Sequence, residues 1–339
     1  VEKSGVIVVD KPQGVTSHDV VAACRSLLHT SKVGHAGTLD PMATGVLVIG
    51  FGSATRLLNA IVGSRKTYHT TILLGQRTTT DDADGDIIPW DAHEQDAVTA
   101  ALVGLDRHRI EQEISAHFLG DIDQVPSSFS AKKIAGKRAY DLARSGQEVE
   151  LKAQKITIDD FCLTDMRRRA DGLIEVDASV RCSAGTYIRA LGRDLGHNLG
   201  VGGSLIMLRR VQVGEFDVGD ARTLSCSTQT RSFTNKHGEE VTRRKVVFPQ
   251  EFQDAQRLEE HIISPAWAAQ HTLPWCELSA EQAVDISFGR PIRMHITQQQ
   301  AALYNGHLMA LIEPWKKNLV KPSTVFITST QLANLVQEA

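Results

Sequence analysis

Between Lys32 and Pro41 the chain reads Lys-Val-Gly-His-Ala-Gly-Thr-Leu-Asp-Pro, which sets His35 and Asp40 five residues apart in a glycine-rich segment. Neither residue falls on a periodic apolar face that would bury it. Gly34 and Gly37 permit backbone geometry and close approach that side chains would block. Pro41 biases Asp40 towards extended backbone, so no helix should run through it. Directly after comes the apolar run Val46 to Ile49, bounded by Gly45 and Gly50, which reads as a short buried strand. An acid held on a loop against a rigid strand is suited to act as a nucleophile or a base. The plainer alternative is an aspartate that caps a helix or a turn.

Five further segments carry candidate groups. Lys66-Thr67-Tyr68-His69 precedes a strand-like run ending in Leu74-Gly75-Gln76, where a tyrosine commonly packs with its hydroxyl at the surface. Thr80 to Asp91 partly matches a calcium loop through Asp82, Asp84 and Gly85. Thr80 stands in its first slot, however, and Asp91 is one methylene shorter than the usual glutamate, so a solvated turn without metal is expected. From Gln124 to Tyr140 the chain gathers Lys132, Lys133, Lys137 and Arg138, either a solvated face or a phosphate-binding element with salt-dependent affinity. Arg181 to Arg189 leads an alternating strand through a glycine turn into a helix. An arginine in the first turns of a helix gains nothing from the macrodipole, so Arg189 calls for an acidic partner, with Asp194 as a plain surface candidate. Leu208-Arg209-Arg210, with Gly214 and Phe216 beyond, closes the series.

In this order, with Lys11-Pro12 ahead of them, these segments resemble the TruB-type pseudouridine synthases, enzymes that isomerise uridine in the T-arm of tRNA. The likeness spans roughly residues 5–216. It implies an α+β pseudouridine synthase catalytic fold, with a mixed, largely antiparallel sheet, over residues 1–224. A thumb-like RNA-clamping loop falls at about 120–150, and a small β-rich, PUA-like RNA-binding domain at 266–339. It further implies isomerisation of the uridine at tRNA position 55, with Asp40 as nucleophile or base. A bidentate Arg189 would orient Asp40 and hold it ionised. Tyr68 would stack on the extruded base and assist proton removal. His35 would fill the space the base leaves, its neutral imidazole both donating and accepting.

The same resemblance has Leu208 wall the site and Arg209 or Arg210 hold phosphate. It adds Lys11, Tyr187, Asp82, Lys132, Lys137 and Arg138 as substrate-binding residues. Phe129 stands where the family commonly has tyrosine, which keeps stacking and loses a hydroxyl contact. No cofactor and no metal are implied, the partner is the T-arm stem-loop of tRNA, and a monomer is expected. Two other classes remain: a non-catalytic tRNA-binding or folding protein, which has no need of Asp40, and a metal-dependent hydrolase built on Asp82, Asp84 and Asp86.

Strands and helices that would position these groups are readable in outline. Gly5 to Lys11 reads as a strand ended by Pro12 and Gly14. Ser17 can cap a helix with Val20, Val21, Cys24, Leu27 and Leu28 on one face. Strands are expected at 46–49, 68–74, 155–163 and 173–182, and a helix over 93–105. A second helix, capped by Thr186, should run to about Asn198 with Gly200 beyond its end. The irregular alternation fits a mixed α+β domain better than a doubly wound fold. Residues 225–265 turn polar and charged, as in a surface insertion or linker. Strand-like runs return at Leu308–Ile312 and Thr324–Thr328.

A length of 339 residues suits two domains, and 42% hydrophobic residues can fill their cores. Net charge is −3, which excludes a protein that coats nucleic acid indiscriminately; RNA contact has to come from local basic patches. The five cysteines are scattered without a Cys-x-x-Cys pair, which fits reduced thiols and offers no zinc site. No run approaches the ~18 apolar residues of a membrane span. Val6 to Val9 is too short for a signal-peptide core, so a cytoplasmic location away from membranes is expected.

Overall fold

The structure is a computed structural model and describes residues 4–127, 133–134, 137–138, 152–234 and 239–337. The chain opens with strand β1 (Gly5–Lys11), helix α1 (Ser17–Leu27), the short β2 (Val33–His35) and β3 (Thr44–Phe51). β1 and β3 pair antiparallel, from Gly5 opposite Phe51 to Lys11 opposite Gly45. Ile7, Val9, Leu47 and Ile49 pack with Val20, Val21 and Cys24 of α1. Val6, Val8, Val46 and Val48 belong to a different core on the other face. Burial on both faces explains why these strands read as unbroken apolar runs rather than as an alternation.

A one-turn helix α2 (Leu58–Val62) leads to β4 (Lys66–Leu74), then to a ribbon of β5 (Arg77–Thr78) and β6 (Ile87–Ile88). Helices α3 (Ala92–Gly104) and α4 (Arg107–His117) precede β7 (Gly120–Gln124), and a second ribbon joins β8 (Lys133–Ile134) to β9 (Lys137–Arg138). The chain continues through β10 (Gln154–Arg168), β11 (Ile174–Cys182), α5 (Ile188–Asn198), β12 (Gly203–Val213), β13 (Phe216–Asp217) and β14 (Leu224–Ser225). These strands form one ten-stranded sheet in the order β14-β1-β3-β12-β4-β11-β10-β7, with β2 against β3 and β13 against β12. Its ladders are antiparallel except β1 with β14 and β3 with β12. The sheet is therefore mixed and largely antiparallel. On β11, Ile174, Val176, Ala178, Val180 and Cys182 turn inward to a core shared with α3, α4 and α5.

Expected as an insertion or linker, residues 225–265 instead hold a ribbon of β15 (Ser227–Thr234) and β16 (Glu240–Val247), followed by short helices. Val246, Phe248, Phe252 and Leu258 anchor this segment in the core around α1. A five-stranded sheet follows, from β17 (Trp275–Glu277), β18 (Ile292–Arg293), β19 (Gln300–Tyr304), β20 (His307–Lys316) and β21 (Leu319–Val325), in the order β17-β19-β20-β21-β18. The strand expected at 324–328 thus ends at Val325. Ala301, Leu303, Leu308 and Leu311 of this second sheet share one core with Val6, Val8, Val46 and Val48 of the first. Among the described residues no helix is long and apolar enough to cross a membrane.

Two helix starts differ from the expected ones. Thr16, not Ser17, caps α1, through a reciprocal capping box with Asp19. Helix α5 has Tyr187 at its N-cap without a side-chain cap, and the Thr186 hydroxyl donates to the Ser183 carbonyl.

Glycine matters most where α5 lies on β12. A Cβ on Gly196 would fall 2.2 Å from the backbone of Gly202 and Gly203, so the helix sits closer than any side chain allows. Gly196→Ala should therefore lower stability to urea by about 1–3 kcal/mol through overpacking. Gly104→Ala, where an added Cβ meets nothing within 4 Å, should leave stability level or slightly raised.

Candidate active site

The loop from Ala36 to Ala43 is held from below by the first strand and helix. Lys11 ends β1 wholly buried, and its Nζ donates to the carbonyls of Ala43 at 2.6 Å, Pro12 at 3.0 Å and Pro41 at 3.4 Å. Ser17 both accepts from the Leu39 N–H and donates to its carbonyl, at 2.8 and 3.1 Å. Gly14 N–H donates to the Pro41 carbonyl at 2.7 Å. The three residues Leu39, Asp40 and Pro41 are thus gripped on both sides of the acid. Gly45, at φ +101°, is the second residue of β3, where a Cβ would lie 2.1 Å from the Arg210 carbonyl, so the loop can enter the sheet beside β12.

Across this loop stands the second residue of α5. Arg189 Nε lies 2.9 Å from Asp40 Oδ2, while its Nη1 lies 3.3 Å from Asp82 Oδ2 and donates to the Thr80 carbonyl at 2.8 Å. Arg189 and Asp82 are buried, and Asp40 keeps 34% of its side chain open to solvent. One guanidinium is therefore shared between two carboxylates rather than given to Asp40 alone. Burial pushes the Asp40 carboxyl above its ordinary value; Arg189 pulls it back down without cancelling that shift, and Asp82 adds to it. Arg189 thus favours the ionised acid in the expected direction, and desolvation opposes it as the larger influence.

Asp40 forms one side of a cleft of about 290 Å³, at the small end for ligand pockets. Tyr68, Leu208, Tyr187, Ile188 and Lys66 line it with Asp40 and Arg189. Tyr68 is buried on β4, and burial raises its pKa above the ordinary phenol value, so the phenol keeps its proton at neutral pH. Lys66 is on the same face of β4, two residues earlier, with Nζ on the carbonyls of Val62 and Ser64 at 2.8 Å each. Burial lowers Lys66 and Lys11 to about 8 each, so both remain largely protonated at neutral pH. Below Tyr187, Gln124 at the end of β7 donates to its carbonyl at 3.0 Å and accepts from its N–H at 2.9 Å, fixing the entry to α5.

Of the residues singled out from the sequence, Asp40, Tyr68, Tyr187, Arg189, Leu208 and Arg210 meet at this cleft. Lys11, expected to bind substrate, and Arg210, expected as one of two candidates to hold phosphate, are both buried and committed to backbone carbonyls. Arg210 donates from Nε to Val46 and from Nη2 to Gly37. Arg209 is clamped by both carboxylate oxygens of Asp10, at 2.7 and 2.9 Å. Asp82 turns inward to Arg189 and Thr80. His35 ends β2 opposite Ile49, half-buried, and is not itself among the residues lining the cleft, although Gly37 two residues on is. Lys137 and Arg138 lie in the β8–β9 ribbon, and Lys132 and Phe129 fall outside the described residues. Sequence reading gave no site role to Lys66, Ser17, Asp10 or Gln124. Only Lys66 carried a usable signal: two residues before Tyr68 on a strand, it has to share that residue's face.

Known proteins share both the sequence and the fold. Residues 25–188 match the model described as TruB family pseudouridylate synthase (N terminal domain), and 189–253 match that of the tRNA pseudouridylate synthase B C-terminal domain. The tRNA pseudouridine synthase B of Bifidobacterium longum subsp. infantis is 42% identical over 378 aligned positions, covering 95% of this chain and 98% of the relative. That of Arthrobacter sp. (strain FB24) is 47% identical over 290, covering 85% and 82%. Among solved structures, an H/ACA RNP bound to a substrate RNA containing 2′-deoxyuridine aligns with TM-score 0.65 at 22% identity, over 96% of this chain and 86% of the other, a likeness of fold.

Removing the shared cation should expose the cost of two neighbouring carboxylates, one buried and one only partly open to solvent. Arg189→Met is expected to lower stability at neutral pH by about 3–5 kcal/mol. An acid whose folded pKa lies above its unfolded value loses stability as pH rises between the two, and losing Arg189 widens that window for Asp40. The deficit, read by urea unfolding, should therefore shrink from pH 8 to pH 5.

Proposed function

The chain belongs to the TruB family of pseudouridylate synthases, and from that membership we propose that it isomerises the uridine at position 55, in the T-arm of tRNA, with Asp40 making the first attack. The carrying observation is the Asp40 carboxylate, oriented by a buried Arg189 in a cleft for a single base, with Tyr68 and Leu208 beside it. The reaction breaks the C1′–N1 bond and makes a C1′–C5 bond; C5 loses a proton and N1 gains one. Product and substrate are isomers, so the balance calls for no oxidant, reductant or group donor.

Attack requires Asp40 as the carboxylate, whether it adds to the ring or to the sugar. Arg189 orients the acid and offsets part of the cost of ionising it in the cleft. Tyr68 offers an apolar face to a base that has lost its stacking neighbours, together with a phenol that keeps its proton until a stronger base takes it. Extrusion of the base costs a few kcal/mol. His35, at the end of β2 rather than in the cleft, would meet the RNA that the base leaves behind. Lys132, Lys137 and Arg138 would hold phosphates around the arm.

Tritium release from a T-arm hairpin carrying 5-tritiated uridine tests the proposal, in EDTA, with wild type against Asp40→Asn. Release by wild type and loss of at least about 10⁴-fold in the variant, with RNA binding retained by both, is the expected result. Equal release by both proteins would remove Asp40 from the centre of the mechanism. Binding by wild type without release would leave a tRNA-binding protein. Because burial raises the Asp40 pKa, the single-turnover rate should climb with pH along an acid limb centred above the ordinary aspartate value of about 3.9. Arg189→Gln, by removing the opposing charge, should move that limb to higher pH.

A further inference from the structure

The β15–β16 ribbon gathers exposed cations on one of its faces. Arg231 stands directly opposite Arg243, and Lys245, opposite Gln229, lies two residues along the same face. All three cations are exposed. Arginines set across from one another on the outer face of a ribbon can each offer a phosphate oxygen charge-assisted hydrogen bonds.

The ribbon is also fixed in place beside the catalytic loop. Val246 and Phe248 pack with Val15, Val20 and Val21. On the inner side, Arg244 lies against the turn at Gly14, where a Cβ would fall 1.8 Å from its Nη1. Gly14 in turn bonds Pro41, the neighbour of Asp40. The chain as a whole carries net charge −3, so these cations are a local concentration rather than part of a general field.

We propose that Arg231, Arg243 and Lys245 form a second RNA-docking surface, which holds the phosphate backbone of the substrate tRNA beside the Asp40 loop. This rests on the reading of the chain as a tRNA-modifying enzyme. Phosphate contacts fix the position of the nucleic acid without reading its sequence, which is the task left once the cleft has selected the base.

The test compares wild type with the Arg231→Gln/Lys245→Gln double variant, after thermal melting has shown that both fold. Affinity for an unmodified tRNA transcript and for a T-arm hairpin is measured between roughly 50 and 200 mM salt. The variant should bind the transcript about tenfold more weakly, with a salt slope shallower by about 0.9 for each phosphate no longer neutralised. In turnover the weakening should appear in KM rather than kcat. Weakening with both RNAs would place the surface against the T-arm itself; weakening with the transcript alone would place it against the tRNA beyond that arm. Unchanged affinity and slope for both RNAs, in this variant and in Arg231→Glu/Lys245→Glu, would overturn the proposal. Arg231→Lys/Lys245→Arg, which conserves charge, should keep the slope and so separates docking from a folding defect. Binding is read without turnover, so a wild type that binds tRNA but releases no tritium would sink the catalytic reading and leave this surface to be judged by its own slope.

Discussion

A guanidinium taken out of water has to find its charge balance inside the protein, and Arg189 finds it in Asp40 and Asp82 together. Much of the surrounding architecture follows from keeping those three groups in register. Asp82 comes from the turn within the β5–β6 ribbon, Asp40 from the loop between β2 and β3, and Arg189 from the first turn of α5. Each is on a different connection, so no local preference can bring them together. The sheet supplies the common frame, and the glycine contact between α5 and β12 brings the helix close enough for the arginine to reach both acids.

Holding the acid is a separate problem from neutralising it. Desolvation raises Asp40's pKa even though a cation lies 2.9 Å away, so the site stores part of the cost of the carboxylate in the folded state. That arrangement persists only where the backbone around the acid is over-determined. Lys11, Ser17 and Gly14 provide this, since all three bond the main chain of Leu39, Pro41 or Ala43. The first turn of α1 therefore serves the site as much as the core, which accounts for the helix being capped by Thr16 and leaving Ser17 free.

Taken one at a time, Asp40, Tyr68 and Arg189 each have a plain structural reading in the sequence: a capping acid, a packed tyrosine and a surface ion pair. It is the resemblance of the segments in their order that marks them out together with Leu208. Cations are harder to read. Lys11 and Arg210 are expected to meet the substrate, and both are buried on carbonyls, because charge alone does not reveal which face of a strand a side chain occupies. The 225–265 segment misleads for a related reason. Its polar composition hides Val246, Phe248, Phe252 and Leu258, four anchors too widely spaced to give a period yet sufficient to fix the ribbon to α1.

The order of strands and helices, the apolar runs of β1 and β3, the alternation of β11 and the glycine-rich setting of Asp40 all depend on neighbours within a few residues, so the linear chain already carries them. Assembly in three dimensions decides which side chains share a cleft, that one arginine serves two acids, that burial outweighs the ion pair in setting Asp40's pKa, and that the C-terminal sheet shares a core with the first. Those outcomes depend on groups tens to hundreds of residues apart, such as Arg209 on Asp10 or Leu308 in the core of Val6 and Val48. Desolvation and close packing are properties of the assembled neighbourhood, and no residue carries them in its own type or spacing.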